Sequence, residues 1–340
     1  MSGGAGRVRV LRAGETESEH RVHAVIVGHE PGEEIQFGDA SRLSFWRSSF
    51  KPFQALPLVE DGVDEALELG PRELALCAAS HAGTPEHVEL AASILERAGL
   101  DASDLECGAH APYDAGAARD VLRRGESYGP LHNNCSGKHA GMLALAVHHG
   151  WVTRGYIERG HPVQVRIRES LAPWLDVDPE GLAWGRDGCG VPTACLSLRQ
   201  MARAYARLGR AAAAGEAAPA AIVGAMTAHP TLVSGPGRPT TRILEATGGR
   251  VLAKEGAEGV FCAAAPRDGW GVALKVVDGS DRAAPPALVA ALEAADLLEP
   301  AELERLEELR SPRVRNVVGA EVGRLLAEME PVRQAVAGGP

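Results

Sequence analysis

Hydrophobic spacing divides the chain into strand-like ends and a helix-like middle. RVHAVIVG (21–28) is β-branched and apolar, and reads as a strand. EEIQFGD (33–39) can return beside it through a turn at Pro31-Gly32. GVFCAAAP (259–266) and GWGVALKVVDG (269–279) form a second pair, joined at Arg267-Asp268. Between the pairs the period lengthens. KPFQALPLVEDG is a short helix stopped at Gly62, and PRELALCAAS starts with Pro at the first helical position. TPEHVELAASILERAGL has Thr84 as its cap and apolar residues at helical spacing. ACLSLRQMARAYARLGR and AAPAAIVGAMTAH predict two more helices, with AAAAGEAAPA as a linker between them. PPALVAALEAADLL and PAELERLEELR are amphipathic, and the tail QAVAGGP should fray. The pattern predicts one α/β domain over 1–340. Its sheet is antiparallel and drawn from hairpins at about 20–40 and 258–279, flanked by a helical middle at about 48–245.

Composition narrows the classes of function. The net charge of −10 comes without any basic block, which argues against a nucleic-acid partner. The N-terminal twenty residues lack the apolar segment of a signal peptide. The longest charge-free stretch, residues 217–237, contains three prolines and a histidine, so no membrane span is expected. The expectation is a soluble, cytoplasmic protein. The six cysteines form no C-x-x-C pair, so neither a disulfide framework nor a standard zinc clasp is expected. Cys77 and Cys262 sit in apolar runs and read as buried hydrophobes. Cys135 and Cys189 lie in polar, Gly-rich surroundings.

Five stretches carry candidate chemistry. In RSSFKPF, Ser48 and Lys51 stand three apart at a helix entrance, so the amine can reach the hydroxyl. A serine needs a base before it can attack, and a lysine serves only where burial or a second cation lowers its pKa. The plain alternative is a capping serine followed by a solvated lysine. Ser80 and His81 fall in a loop between two helices, where a hydroxyl can be displayed on a rigid base. Lys254-Glu255-Gly256 is placed just before the first C-terminal strand, where the glycine admits a ligand close to the backbone. S-x-x-K, then an interhelical Ser, then K-x-G is the sequence order of the serine β-lactamases and penicillin-binding proteins. The fourth and fifth stretches, HNNCSGKHAGM (132–142) and GRDGCGVPTACLSL (185–198), bring two thiols together with Lys138 and His139. Two sulfurs and a nitrogen suit zinc. Spacing favours His139 as the nitrogen, since Lys138 must lose a proton to bind metal. Asp187 is placed to hold a metal-bound water.

Taken together, RSSFKPFQALPLVEDG, CAASHAGTPEHVE, HNNCSGKHAGMLALA, GRDGCGVPT, AHPTLVSGPGRPTT and AKEGAEGVF resemble the Rhizobium etli-type L-asparaginases over about residues 20–280. The resemblance implies a serine β-lactamase-like fold, a homodimer, and hydrolysis of L-asparagine to L-aspartate and ammonia. It implies Ser48 as nucleophile beside Lys51, Ser80 paired with Lys254, and zinc on Cys135, Lys138 and Cys189. Arg47, His132, Asn133 and Asp187 are the candidate substrate contacts. The rival readings are another Ser–Lys amidohydrolase (a glutaminase or a β-lactamase-like enzyme) and a non-enzymatic zinc-binding redox sensor built on Cys135 and Cys189.

Overall fold

The computed structural model of the chain describes residues 4–28 and 32–333. Its strands are β1 (Gly6–Arg12), β2 (Glu15–Val27), β3 (Glu34–Phe37), β4 (Leu43–Phe45), β5 (Ala183–Arg186), β6 (Pro192–Ser197), β7 (Leu252–Gly256), β8 (Val260–Ala265), β9 (Trp270–Val276), β10 (Arg313–Arg315), β11 (Glu321–Glu328) and β12 (Val332–Arg333). Internal packing resolves two compact units. One comprises residues 1–49, 195–210 and 242–340; the other comprises 50–194 and 211–241.

The first unit holds the antiparallel sheet from both chain ends, in the order β10-β11-β1-β2-β9-β8-β7, with β3 joining β2 and β12 joining β3. The two expected hairpins are present. Val27 pairs Glu34 in β2–β3, and Ala265 pairs Trp270 in β8–β9. β2 is the hinge of the design. Its charged first half, ETESEH, runs beside β1, while its apolar second half lies between β9 and β3. Val25 and Ile26 there are fully buried. β8 is buried at all six positions, which is why it reads as an unbroken apolar run rather than an alternation. Helix Ala284–Ala294 covers the sheet with Ala287, Leu288, Ala291 and Leu292, all in the same core as Leu274 and Phe261.

Three details depart from the sequence reading. Lys254-Glu255-Gly256 is not a loop before a strand but part of β7, the edge strand. ACLS belongs to β6, so the helix that follows starts at Leu198. The supposed linker AAAAGEAAPA is mostly helix: Leu198–Ala213 and Ala217–Ala228 are separated by three residues only. Alanine favours helix on both sides, and Gly215, at φ +80°, makes the break. The turn residue Pro31 and the tail QAVAGGP lie outside the described residues.

The second unit is mainly helical. Helix Lys51–Glu60 ends at Gly62 in the left-handed region, as expected. Helix Pro71–Cys77 starts with its proline, and Pro85–Arg97 is capped by Thr84 and His87 in a reciprocal box. Helix Ser136–His148 is buried from Ser136 through Ala146, so its amphipathicity is slight and it runs through the core of this unit. Among the described residues no single helix is long and apolar enough to cross a membrane.

Candidate active site

Ser48 lies in a 3₁₀ turn, Arg47–Phe50, that leads directly into helix Lys51–Glu60. Arg47 takes φ +54°, a conformation L-residues adopt at a cost of about 1–3 kcal/mol. Within the sheet unit this turn lies against the edge strand. Ser49 Oγ donates to the Lys254 carbonyl at 2.7 Å, and Tyr205 OH donates to the Ser49 carbonyl at 2.7 Å. A Cβ at Gly256 would stand 3.1 Å from both Ser49 Oγ and the Trp46 carbonyl. The close approach that Lys-x-Gly promises is therefore made by the chain's own turn, the one bearing Ser48. Ser49 is a functional neighbour the sequence reading missed; the doubled serine in RSSF was its only signal. Lys254 is fully buried and donates from Nζ to the Glu255 carbonyl at 2.9 Å.

In the helical unit, Lys51 is 1% exposed and its Nζ donates to three groups. These are the Ala79 carbonyl at 2.6 Å, Ser80 Oγ at 2.8 Å and Cys135 Sγ at 3.1 Å. A buried lysine side chain is tolerable only with such a set of hydrogen-bond partners. The Ser80 loop is pinned to helix Ser136–His148. His81 N–H donates to the Asn134 carbonyl, and His81 Nε2 meets Ser136 Oγ at 2.9 Å. His81 Nδ1 accepts from Gly83 N–H at 3.1 Å, so Nε2 carries the proton and donates. Burial first, then His87 and Lys51, hold the His81 pKa well below the usual value.

Cys135 caps helix Ser136–His148, and Lys138 lies on its first turn. The helix can come this close to Pro71–Cys77 because residue 137 is glycine: a Cβ there would sit 2.5 Å from the Leu76 carbonyl oxygen. Lys138 Nζ donates to Cys189 Sγ at 3.0 Å. Cys135 hydrogen-bonds to Cys189, which pushes the Cys135 thiol up to about 12 and, with Lys138, holds Cys189 well below an ordinary thiol. Burial opposes the Lys138 charge, but Cys189, Cys135 and Asp187 together raise its pKa. The polar chain thus runs Lys51 to Cys135 to Cys189, with Lys138 closing from the far side. Asp187 holds the Cys189 turn through its backbone, donating to the Val191 carbonyl and accepting from Gly190 N–H.

Two sulfurs and an amine, each at most 5% exposed, make a donor set that fits zinc once Lys138 and the thiols give up their protons. Spacing favoured His139, but the nitrogen beside a thiol is that of Lys138, 3.0 Å from Cys189 Sγ. His139 Nδ1 faces Tyr156 OH at 2.6 Å. Among the described residues no trio of His, Cys, Asp or Glu is placed to hold a metal, so His139 completes no set with the two cysteines. Asn133 is committed to backbone: Nδ2 donates to the Cys107 and Gly108 carbonyls, and Oδ1 accepts from Cys135 N–H. Its visible job is to seat Cys135. His132 Nδ1 accepts from Gly129 N–H at 3.0 Å. Cys107, which the sequence reading passed over, lies close enough to Cys135 and Cys189 that their charge adds to burial in pushing its thiol up to about 12.

A family model described as L-asparaginase II matches residues 8–327. No curated protein matches the chain. Among solved structures, a crystal structure described as "putative beta-lactamase from Bacteroides dorei DSM 17855" is similar at 16% identity, covering 81% of this chain and 86% of that one. Its TM-score of 0.34 makes it a distant likeness that decides no chemistry.

Proposed function

This chain belongs to the L-asparaginase II family and is an amidohydrolase, and we propose that it is of the Rhizobium etli type, cleaving the side-chain amide of L-asparagine by Ser–Lys catalysis. Ser48 Oγ attacks the amide carbon while Lys51 takes its proton. The tetrahedral intermediate collapses, the C–N bond breaks, and the proton held by Lys51 leaves with ammonia. A β-aspartyl ester remains on Ser48. Water attacks it, again losing a proton to the lysine; that proton returns to Ser48 Oγ as the ester C–O bond breaks and L-aspartate departs. Ser80 and Lys254 are each assigned to proton transfer in this reading as well. The observation that carries it is Lys51, which is buried at the start of its helix three residues after Ser48 and hydrogen-bonded to the Ser80 hydroxyl.

Zinc on Cys135, Lys138 and Cys189 would supply fixed positive charge beside the substrate. With thiolate ligands its role is positioning. A homodimer and a cytoplasmic location complete the proposal. The rival amidohydrolases differ in substrate, so ammonia release from L-asparagine, L-glutamine and a chromogenic β-lactam compared side by side separates them. Ser48→Ala should abolish turnover in folded protein; wild-type turnover in that variant removes the nucleophile assignment. The purified chain should carry one zinc per monomer, and Cys189→Ser should lose it. A loss of kcat by orders of magnitude on chelation, with KM unchanged and the fold intact, would instead put zinc in the chemical step.

A further inference from the structure

AHPTLVSGPGRPTT (228–241) has no part in the steps above, yet the helical unit folds it onto the Ser80 loop. Ser80 N–H donates to the Val233 carbonyl at 2.9 Å. Two residues further on, Ala82 is held from two sides. Its carbonyl accepts from Asp114 N–H at 2.9 Å. Gly235, at φ +110°, packs so tightly that a Cβ there would stand 2.4 Å from Ala82 Cβ. The same Cβ would stand 3.4 Å from Arg238 Cδ, so the arginine stem passes directly over this contact. Arg238 Nε donates to Ser234 Oγ at 3.2 Å, and its guanidinium carbon lies 5.2 Å from the centroid of the Tyr113 ring. Tyr113 also stacks with His110, ring centroids 5.1 Å apart. His110 Nε2 accepts from Asn134 N–H at 2.9 Å, one residue before Cys135. An arginine–aromatic pair therefore ties together the loops that carry Ser80 and Cys135. Ser234 is fully buried, which makes it a rigid anchor, whereas Tyr113 is 54% exposed, so the ring side of the pair reaches solvent.

L-Asparagine is a zwitterion, and the chemistry at its side-chain amide uses neither charge. In a protein of net charge −10, a local cation offsets the repulsion its carboxylate meets. A guanidinium stacked on a ring and held at Nε has a fixed plane, and that planar fork matches a carboxylate. We propose that Arg238, fixed by Ser234 and Tyr113, binds the α-carboxylate of the substrate and confines the enzyme to amides that carry one. The inference rests on the asparaginase reading above and names its specificity determinant.

Three amides separate the two claims in steady-state assays on the full chain. L-Asparagine carries both charged groups, succinamate keeps the carboxylate and lacks the amine, and 3-aminopropanamide keeps the amine and lacks the carboxylate. Turnover of L-asparagine by the wild type tests the activity itself. Arg238→Gln should raise KM for L-asparagine and succinamate roughly tenfold to a hundredfold, the usual effect of losing a charge-assisted hydrogen bond. Its kcat should stay within a few-fold, and 3-aminopropanamide should be used as well as by the wild type. Arg238→Lys should recover part of the loss. An equal loss on all three amides would make Arg238 a scaffold residue and overturn the proposal, as would no loss on any. If 3-aminopropanamide turns over too slowly to follow, its inhibition constant against L-asparagine replaces it. That constant should be the same in wild type and Arg238→Gln, while inhibition by L-aspartate weakens in the variant.

Discussion

Cys262 and Cys189 are both buried, one in each unit, and their thiols are driven in opposite directions. In β8 of the sheet unit, burial pushes Cys262 up to about 12. In the helical unit, a hydrogen bond from Cys135, with Lys138 beside it, holds Cys189 well below an ordinary thiol. The low dielectric is common to both; the donors differ. The contrast extends to the units as wholes. The sheet unit has an apolar core, with Val22, Ala24, Ile26, Phe261, Val272 and Leu274 on one face of the central strands. The helical unit buries Lys51, Ser80, His81, Ser136, Lys138 and His139 around one helix N-terminus. The sheet unit is apolar inside apart from the edge that carries the Ser48 turn and Lys254, whereas the helical unit encloses a polar cluster.

The sharpest test of that division is Lys51→Met. Methionine keeps the apolar stem and removes the donor to Ala79, Ser80 and Cys135. Turnover should fall by about a thousandfold, the scale of a lost general base. Unfolding free energy should fall by about 1–3 kcal/mol, the cost of leaving buried acceptors without their donor. A variant that unfolds but keeps its rate per folded molecule would break the comparison. Leu274→Ala is the converse. Leu274 is fully buried in β9, and its truncation should cost about 2–5 kcal/mol in denaturant unfolding. kcat/KM measured on the folded fraction should hold within two-fold.

How much of this was legible in the sequence differs between the same two regions. The hairpins β2–β3 and β8–β9 announced themselves through β-branched, apolar runs, and the helices 51–60, 71–77 and 85–97 through proline starts and glycine stops. β1 and β11 were not seen. RVRVL alternates charge with apolar residues and EVGRLLAE mixes them without a clear period, and both gain meaning only when the two pair, Val10 with Leu325. The break at Leu306 between helices Pro300–Arg305 and Glu307–Arg310 has no glycine or proline to mark it. In the site, Ser48, Lys51, Ser80 and Cys135 stood out by residue type. Their partners did not: Ala79 acts through a carbonyl that every residue owns, and Lys138 meets a cysteine 51 residues away. Spacing alone even preferred His139. Contacts of that kind are set by the packing of whole helices, such as the approach that Gly137 permits.

Acid should separate the two units by the smallest of these effects. His81 and His87 are both held below the usual histidine pKa of 6.5, in each case chiefly by burial. In the folded chain they stay neutral as pH falls through 6.5, while in the unfolded chain they take up protons. The unfolded state then binds more protons, so stability falls as pH drops, starting near 6.5 and continuing until the folded histidines are themselves protonated. Each contributes at most about 1.4 kcal/mol per pH unit. The geometry names the local consequence. His81 Nδ1 is the acceptor for Gly83 N–H, and a proton on Nδ1 abolishes that bond. Amide exchange at Gly83, corrected for the intrinsic pH dependence, should therefore accelerate only well below pH 6.5, where folded His81 takes up its proton, while Val25 and Ile26 in β2 stay protected. His81→Gln, which cannot titrate, should flatten the stability profile below pH 6.5. Uniform loss of protection in both units, or a slope unchanged by His81→Gln, would mean that the buried histidines of the helical unit are not what acid attacks first.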